Sequence, residues 1–136
     1  MQLVGAKIAL LCGSRLLTYM RDDLAHLPFA GHWDLPGGGR EGSEEAEDCA
    51  LRELDEEFGL LLPRDRLIWR HDYPSHHTPG GTAAFFGGYL SPSEVEAIRF
   101  GDEGQFWEMM AVEAFLGHDK AVPYLQVWLS DFLAAT

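Results

Sequence analysis

Basic residues and cysteines are both scarce in this chain. Only 10 Lys and Arg stand against 22 Asp and Glu among 136 residues, which gives a net charge of −12. Because such a chain repels a bare phosphate backbone, binding to a nucleic-acid polymer is not expected. A small anionic substrate remains compatible with this charge if carboxylates hold divalent cations, since these reverse the sign of the local field.

The two cysteines, Cys12 and Cys49, lack the dense spacing of a secreted disulfide framework. We therefore expect both thiols to be reduced and the protein to be cytoplasmic. The longest apolar run near the start, Ile8 to Cys12, is too short for a membrane helix. It also has neither a basic flank nor a cleavage-site pattern, so neither a membrane anchor nor a targeting segment is expected.

Helical and strand patterns alternate along the chain, whose 46% apolar content suits a single domain over residues 1–136. The patterns predict strands over 3–12, 15–21, 66–73, 82–90 and 105–109, and helices over 111–116 and 122–133. Proline and glycine mark residues 26–40 and 74–81 as loops. The order of elements predicts an α/β domain.

A further helix is predicted between these loops. Ser43 is a favourable N-cap, Glu44 and Glu45 place negative charge in the first turn, and Gly59 is the expected residue just beyond the C-terminus. Asp119 is predicted in the same way to cap the last helix of the chain.

Three carboxylates of this helix share one arc. On an ideal helix Glu53 and Glu57 lie about 40° apart, and Glu56 lies about 60° to the other side of Glu53. Hard divalent ions such as Mg²⁺ and Mn²⁺ favour oxygen ligands of this kind. By itself, however, an acidic run is more often a solvated helix face, here with Arg52 pairing to Glu56.

The spacing of residues before, within and after the helix favours the metal-binding interpretation over a solvated face. From Gly38 to Leu60 the chain reads Gly, five residues, Glu, seven residues, Arg-Glu, an aliphatic residue, one residue, Glu-Glu, one residue, Gly and an aliphatic residue. This spacing resembles the complete signature of the Nudix family, whose nine constrained positions coincide by chance about once in 10⁹ starting points. The segment Trp33 to Gly37 also resembles the family's usual approach to this signature.

The resemblance implies a Nudix-type α/β/α sandwich with a mixed β-sheet. It also implies a metal-dependent pyrophosphohydrolase that cleaves a nucleoside diphosphate linked to another moiety, such as a canonical or oxidised nucleoside triphosphate. Carried over by position, the implied ligands of Mg²⁺ or Mn²⁺ are Glu53, Glu56 and Glu57 with the carbonyl of Gly37 or Gly38. The implied structural support comes from Gly38, Glu44, Arg52 and Gly59.

A general base is also required, because a metal-activated water must lose a proton to a nearby carboxylate. Glu53 is one candidate. Family members often supply a further acid from a distal loop, and Glu103 in the Asp102-Glu103-Gly104 segment is the second candidate, either as base or as metal ligand. The alternative for Glu103 is a plain turn carboxylate.

Candidates for substrate contacts flank the predicted helix. Arg21 and Arg40 are candidates for phosphate binding, with plain surface charge as the alternative. Tyr19, Phe29 and Trp33 are candidates for stacking on a base, with core packing as the alternative.

Two further segments carry candidates in the second half of the chain. His76 and His77, with His71 beside them, indicate a mobile loop over a cleft rather than a zinc site, because no cysteine accompanies them. Asp119 follows His118 in a segment where related enzymes sometimes recognise the base, although a helix cap is the interpretation we prefer.

Three classes of function compete at this point. A Nudix hydrolase is favoured over a Nudix-like nucleotide sensor because the signature retains all of its acids, and a purely structural acidic domain requires an accidental match. Hydrolysis of ADP-ribose or a dinucleoside polyphosphate is a further alternative, although Tyr73 and Pro74 fall only near the signature positions of those subfamilies. Many relatives form homodimers, and the sequence leaves assembly open.

Overall fold

The computed structural model describes residues 2–136, which form one mixed sheet with helices on both of its faces. The strands are β1 (Gln2–Cys12), β2 (Arg15–Met20), β3 (Trp33–Asp34), β4 (Gly37–Gly39), β5 (Trp69–Pro74), β6 (Gly81–Tyr89) and β7 (Phe106–Ala111). The helices are α1 (Ala46–Phe58), α2 (Pro92–Glu96), α3 (Val112–Leu116) and α4 (Pro123–Ala135), with a 3₁₀ turn at Arg64–Arg66.

The sheet combines parallel and antiparallel pairs. Its main path runs β3-β2-β1-β6-β5, while β4 pairs with β1 and β7 pairs with β2. Among the strand pairs within residues 2–136, only β1 and β6 are parallel, and they stay in register from Gln2 beside Gly81 to Leu11 beside Tyr89, with one irregularity. The predicted mixed sheet is therefore confirmed.

Alternation along β1 and β6 builds a core on each face of the sheet. Ile8 and Phe86 point towards α1, whereas Ala9 and Phe85 point towards α4. Because both faces are covered, these strands are apolar along most of their length. The predicted α/β/α sandwich is confirmed, and no helix within residues 2–136 is long and apolar enough to cross a membrane.

The N-terminus of α1 differs from the prediction. Glu45, not Ser43, is the N-cap residue, and its side chain makes no capping hydrogen bond. The reason lies in Glu44, whose carboxylate accepts the Glu41 N–H at 2.8 Å and holds residues 41–44 in a turn. The predicted C-terminus is confirmed, since Gly59 takes a left-handed φ of 66° and its N–H bonds the Asp55 carbonyl.

Several other element boundaries also differ from the prediction, because strand pairing between distant residues or a helix cap determines the local structure. The predicted loop 26–40 contains β3, which pairs with β2, and β4, whose Gly37 lies so close to Ala6 of β1 that a Cβ there would clash. The predicted strand 66–73 begins only at Trp69. Helix α2 was not predicted, although Ser91 and Glu94 form a capping box. Asp119 does not cap α4, since Val122 holds that position and Pro123 begins the helix.

Candidate functional site

A cavity of about 810 Å³ opens between the outer edge of α1, the glycine strand β4 and the start of α4. One end is lined by the carboxylates of α1, and we call it the carboxylate end. The other is lined by the aromatic side chains of Phe29, His76, His77, Tyr124 and Trp128, and we call it the aromatic end. The two ends offer different chemistry to a single elongated ligand.

Glu57 lies on the buried side of the carboxylate end. Its side chain accepts the Gly37 N–H at 2.9 Å and only 5% of the residue is exposed. The pKa of Glu57 is raised to about 8, mainly by burial and to a smaller extent by the nearby Glu53 and Asp34, against the lowering effects of Lys7 and the Gly37 N–H. A carboxylate in this position gains strongly from a positive charge beside it.

Glu53 and Glu56 line the same end, and Arg52 ties both of them to the loop before the helix. Its guanidinium reaches Glu56 at 2.9 Å and Glu53 at 3.1 Å. It also donates to Glu44 at 2.8 Å and to the Gly39 carbonyl at 2.9 Å. These contacts, first of all the one with Glu44, raise the pKa of Arg52. The predicted supporting role of Arg52 and Glu44 is thus consistent with their positions.

Gly38 lets the glycine strand approach the helix. A Cβ on Gly38 would lie 2.7 Å from the carboxyl carbon of Glu53, which is closer than packed atoms approach. Burial raises the pKa of Glu53, and the neighbouring carboxylates of Glu56 and Glu103 add to the rise while Arg52 opposes it. The structure thus brings Glu103 to the cavity near Glu53, on the exposed loop before β7.

The carboxylate end has the oxygen donors that a divalent cation prefers, but these donors are not arranged around a common point. Oxygen donors that raise one another's pKa are those that a hard cation stabilises. Within residues 2–136, however, no three His, Cys, Asp or Glu side chains converge as a bound ion requires. The positive charge beside Glu53 and Glu56 comes from Arg52.

Asp34 is a residue of the site for which no role was predicted from the sequence. It is only 2% exposed and lies on β3 between Lys7 at 3.1 Å and Arg21 at 2.8 Å. Burial works against its ionisation, yet Lys7 and Arg21 hold the pKa of Asp34 below its ordinary value. Asp34 occurs in the recognised approach segment, but its partners come from distant positions and no local pattern indicates them.

The aromatic end is also closed by residues from distant segments. His76 stacks on Tyr124 with ring centroids 4.3 Å apart and planes inclined by 12°, and His77 shares a hydrogen bond of 3.1 Å with the Tyr124 hydroxyl. Phe29 packs edge-on against Tyr124. Its φ of 52° makes it the only non-glycine residue with positive φ among residues 2–136, a strain typical of functional sites. The histidine loop therefore does lie over the cleft.

The remaining predicted substrate contacts divide into two groups. Arg21 lines the cavity, whereas Arg40 lies outside it and donates to the Glu44 carbonyl at 2.7 Å. Tyr19 also lines the cavity, but its ring packs into the core and its hydroxyl donates to Asp34 at 3.1 Å. Trp33 is buried against Phe106, away from the cavity, and does not offer a stacking surface.

Asp119 lies in an exposed turn and is not among the residues that line the cavity. The neighbouring His118 packs its ring against Trp33 instead of facing the cleft. This turn therefore does not provide the helix cap that we preferred for Asp119.

Two curated proteins are similar in sequence to part of this chain. The 8-oxo-dGTP diphosphatase of Proteus vulgaris is 40% identical over 58 residues, which cover 41% of this chain and 49% of that protein. The RNA pyrophosphohydrolase of Sphingopyxis alaskensis is 38% identical over 50 residues, which cover 32% of each. This chain thus aligns with half or less of the length of these curated relatives.

Similarity in structure extends further. The MutT protein of Methanosarcina mazei Go1 superposes with a TM-score of 0.75 over 98% of this chain and 95% of that protein, at 19% identity. The family model for the NUDIX domain matches residues 3–132, and hydrolases of this family generally depend on divalent metal ions. Since that match covers nearly the whole chain, the protein belongs to the NUDIX domain family.

Proposed function

We propose that this chain is a pyrophosphohydrolase that depends on Mg²⁺ or Mn²⁺ and cleaves a diphosphate linkage in a nucleoside triphosphate. The observation that carries the proposal is the buried Glu57 with its raised pKa, beside Glu53 and Glu56, at one end of a cavity whose other end is aromatic. A diphosphate suits the first end once cations are bound, and a planar base suits the second.

The proposed ligands for the cations are the carboxylates of Glu53, Glu56, Glu57 and Glu103 with the carbonyl of Gly37. The bound cations supply charge that neutralises the phosphate oxygens and lowers the pKa of water. Arg52 keeps the side chains of Glu53 and Glu56 next to each other before a cation binds. Lys7 contacts the Gly37 carbonyl at 3.4 Å and places a second positive charge behind Glu57.

We assign the general base to Glu53 and keep Glu103 as the alternative. Glu53 lines the carboxylate end, where its carboxylate is held by Arg52 at 3.1 Å and can accept a proton from water at the same site. Glu103 is exposed on its loop and so suits a ligand that closes on a bound cation. Turnover of Glu53→Gln should fall by orders of magnitude, whereas a base role for Glu103 requires an equal fall in Glu103→Gln.

The substrate is tested with a panel. The protein is incubated with Mg²⁺ and nucleoside triphosphates, 8-oxo-dGTP, ADP-ribose, dinucleoside polyphosphates or nucleotide sugars, and released phosphate and pyrophosphate are measured. Nucleoside monophosphate with pyrophosphate is the expected pair of products, and ¹⁸O-labelled water identifies the phosphorus that is attacked. Absence of turnover on every compound would favour the nucleotide sensor.

Matched variants connect turnover to the site. Glu57→Gln and Glu53→Gln should each lower kcat by orders of magnitude without loss of fold, whereas Asp55→Asn, an exposed carboxylate of the same helix, should leave kcat unchanged. Unaltered turnover in both glutamate variants would remove the basis for the metal assignment.

The proposal also places the enzyme in the cytoplasm, where the free thiols of Cys12 and Cys49 stay reduced. Cell fractionation tests this location. Sedimentation of the purified protein shows whether it forms the homodimer found among relatives.

A further inference from the structure

Asp34 differs from the other carboxylates of the cavity because its oxygen atoms are already saturated with donors. Oδ2 accepts from Lys7, Tyr19 and Arg21 at 3.1, 3.1 and 2.8 Å. Oδ1 accepts the Leu35 N–H at 2.7 Å and also lies 3.1 Å from Lys7. A carboxylate has about four lone-pair sites, so Asp34 has no free site for a ligand. Its effect on a ligand therefore has to pass through a neighbour.

Of the two cations beside Asp34, only Arg21 retains a donor for the cavity. The three protons of Lys7 are taken up by Asp34, the Leu35 carbonyl at 3.0 Å and the Gly37 carbonyl at 3.4 Å. Arg21 uses Nε for the Pro28 carbonyl at 3.0 Å and Nη1 for Asp34. Its Nη2 makes no hydrogen bond to any side chain or carbonyl within residues 2–136, and its side chain lines the cavity with 24% of its surface exposed.

The hydrogen bonds of this pair lead towards both ends of the cavity. Asp34 accepts from Lys7, which also donates to the Gly37 carbonyl, and the Gly37 N–H donates to Glu57 at the carboxylate end. Arg21 donates to the carbonyl of Pro28, the neighbour of Phe29 at the aromatic end. Arg21 and Asp34 line the cavity and therefore lie between its two ends.

We propose that Asp34 is a positioning residue that fixes the Arg21 guanidinium between the two ends, where Nη2 donates to an acceptor oxygen on the organic part of the substrate. The inference rests on the proposed function, because it takes the diphosphate to lie at the carboxylate end. Two fixed bonds, to Asp34 and to the Pro28 carbonyl, orient the plane of the guanidinium. A ligand then meets a preorganised donor and not a mobile side chain.

The test compares Arg21→Gln, Asp34→Asn and the double variant in steady-state kinetics with the substrate that the panel identifies. Each single change should raise KM by about 10- to 100-fold, the range for a lost charge-assisted hydrogen bond. Because the bond forms in both the ground state and the transition state, kcat should change by less than about 3-fold. The double variant should bind no more weakly than Arg21→Gln alone, since Asp34 acts through Arg21.

Equilibrium binding of the four α,β-methylene nucleoside triphosphates, measured by calorimetry, provides a readout that does not require turnover. The dissociation constant of the tightest analogue should rise in parallel with KM. If the wild-type protein binds an analogue but hydrolyses nothing, the proposed activity fails while the role of Arg21 and Asp34 is still measured. If the variants bind the analogue as tightly as wild type, this inference fails independently of the activity.

Two further variants separate positioning from a loss of stability. Arg21→Lys keeps the positive charge but not the planar guanidinium group, so KM should rise nearly as far as in Arg21→Gln. Wild-type kinetics of Arg21→Lys would overturn the inference, even if Asp34→Asn fails to fold. Leu90→Ala is the destabilised control and should leave KM unchanged, because Leu90 is buried beside Leu11, at the end of β1 opposite to the residues that line the cavity. Additive losses in the double variant, or a fall in kcat without a rise in KM, would also contradict the mechanism.

Discussion

Replacement of Glu57 by Gln should make the metal-free protein more stable at alkaline pH. The folded protein holds Glu57 with a pKa of about 8, against 4.5 for an ordinary Glu. Between these two values the folded state binds more protons than the unfolded state, so the free energy of unfolding falls as pH rises. Gln keeps an oxygen that can accept the Gly37 N–H but carries no charge to be desolvated.

The size of the effect follows from the two pKa values. Integration of the linkage relation from pH 5 to pH 9 gives a stability loss of about 4 kcal/mol for the wild-type protein from this group alone. The Gln side chain loses none of this, but burying its unpaired amide N–H groups costs about 1–3 kcal/mol at every pH. The variant should therefore be less stable than or equal to wild type near pH 5 and more stable near pH 9.

Urea unfolding at a series of pH values, with EDTA present, measures this crossover. Added Mg²⁺ should then restore stability to the wild-type protein and have a smaller effect on Glu57→Gln, because an ion that binds only the folded state stabilises it by mass action. Asp55→Asn is the matched control, since Asp55 is exposed on the same helix, and its pH slope should equal that of wild type. Equal slopes for Glu57→Gln and wild type would refute the reasoning.

Three further predictions concern the rest of the cavity. Gly38→Ala should lower kcat by about 10-fold or more, because the new methyl group displaces the Glu53 carboxylate. The free energy of unfolding should change by only about 1 kcal/mol. Steady-state kinetics and urea unfolding measure the two effects. Arg52→Gln should destabilise the protein by about 1–3 kcal/mol through loss of its charged hydrogen bonds, measured by thermal unfolding. Tyr124→Leu should raise KM by about 10-fold, because it removes the ring on which His76 stacks, without altering stabilisation by Mg²⁺.

Local patterns predicted most of the fold. The strand over 3–12, predicted from its branched apolar residues, and the end of α1 at Gly59 depend only on neighbours in sequence, and both agree with the structure. The start of α1 was predicted wrongly because Glu44 bonds Arg52, eight positions along the chain, and the Glu41 N–H. Capping at Ser43 competes with that arrangement, and no local pattern reveals which one prevails.

The part of the site that lies on helix α1 could be predicted from the sequence. Glu53, Glu56 and Glu57 are placed together by helical spacing, and the structure brings them to one end of the cavity as expected. The cluster of Lys7, Arg21 and Asp34 instead joins β1, β3 and the residue that directly follows β2, so its existence depends on strand register. A one-residue shift in register would reverse the face on which each side chain lies. The contacts of Asp34 could therefore not be predicted from local sequence patterns.

The distribution of charge in the cavity explains how so acidic a chain can take an anionic ligand. At the carboxylate end, Glu53, Glu56 and Glu103 outnumber the cation Arg52, so phosphate groups are repelled there until divalent ions bind. In the middle, Lys7 and Arg21 face the single charge of Asp34, which leaves an excess of positive charge without metal. Binding of the organic part at this middle region and binding of the diphosphate at the carboxylate end should therefore depend differently on Mg²⁺. A nucleoside should bind with an affinity nearly independent of Mg²⁺, whereas the affinity for its triphosphate should rise with the cation.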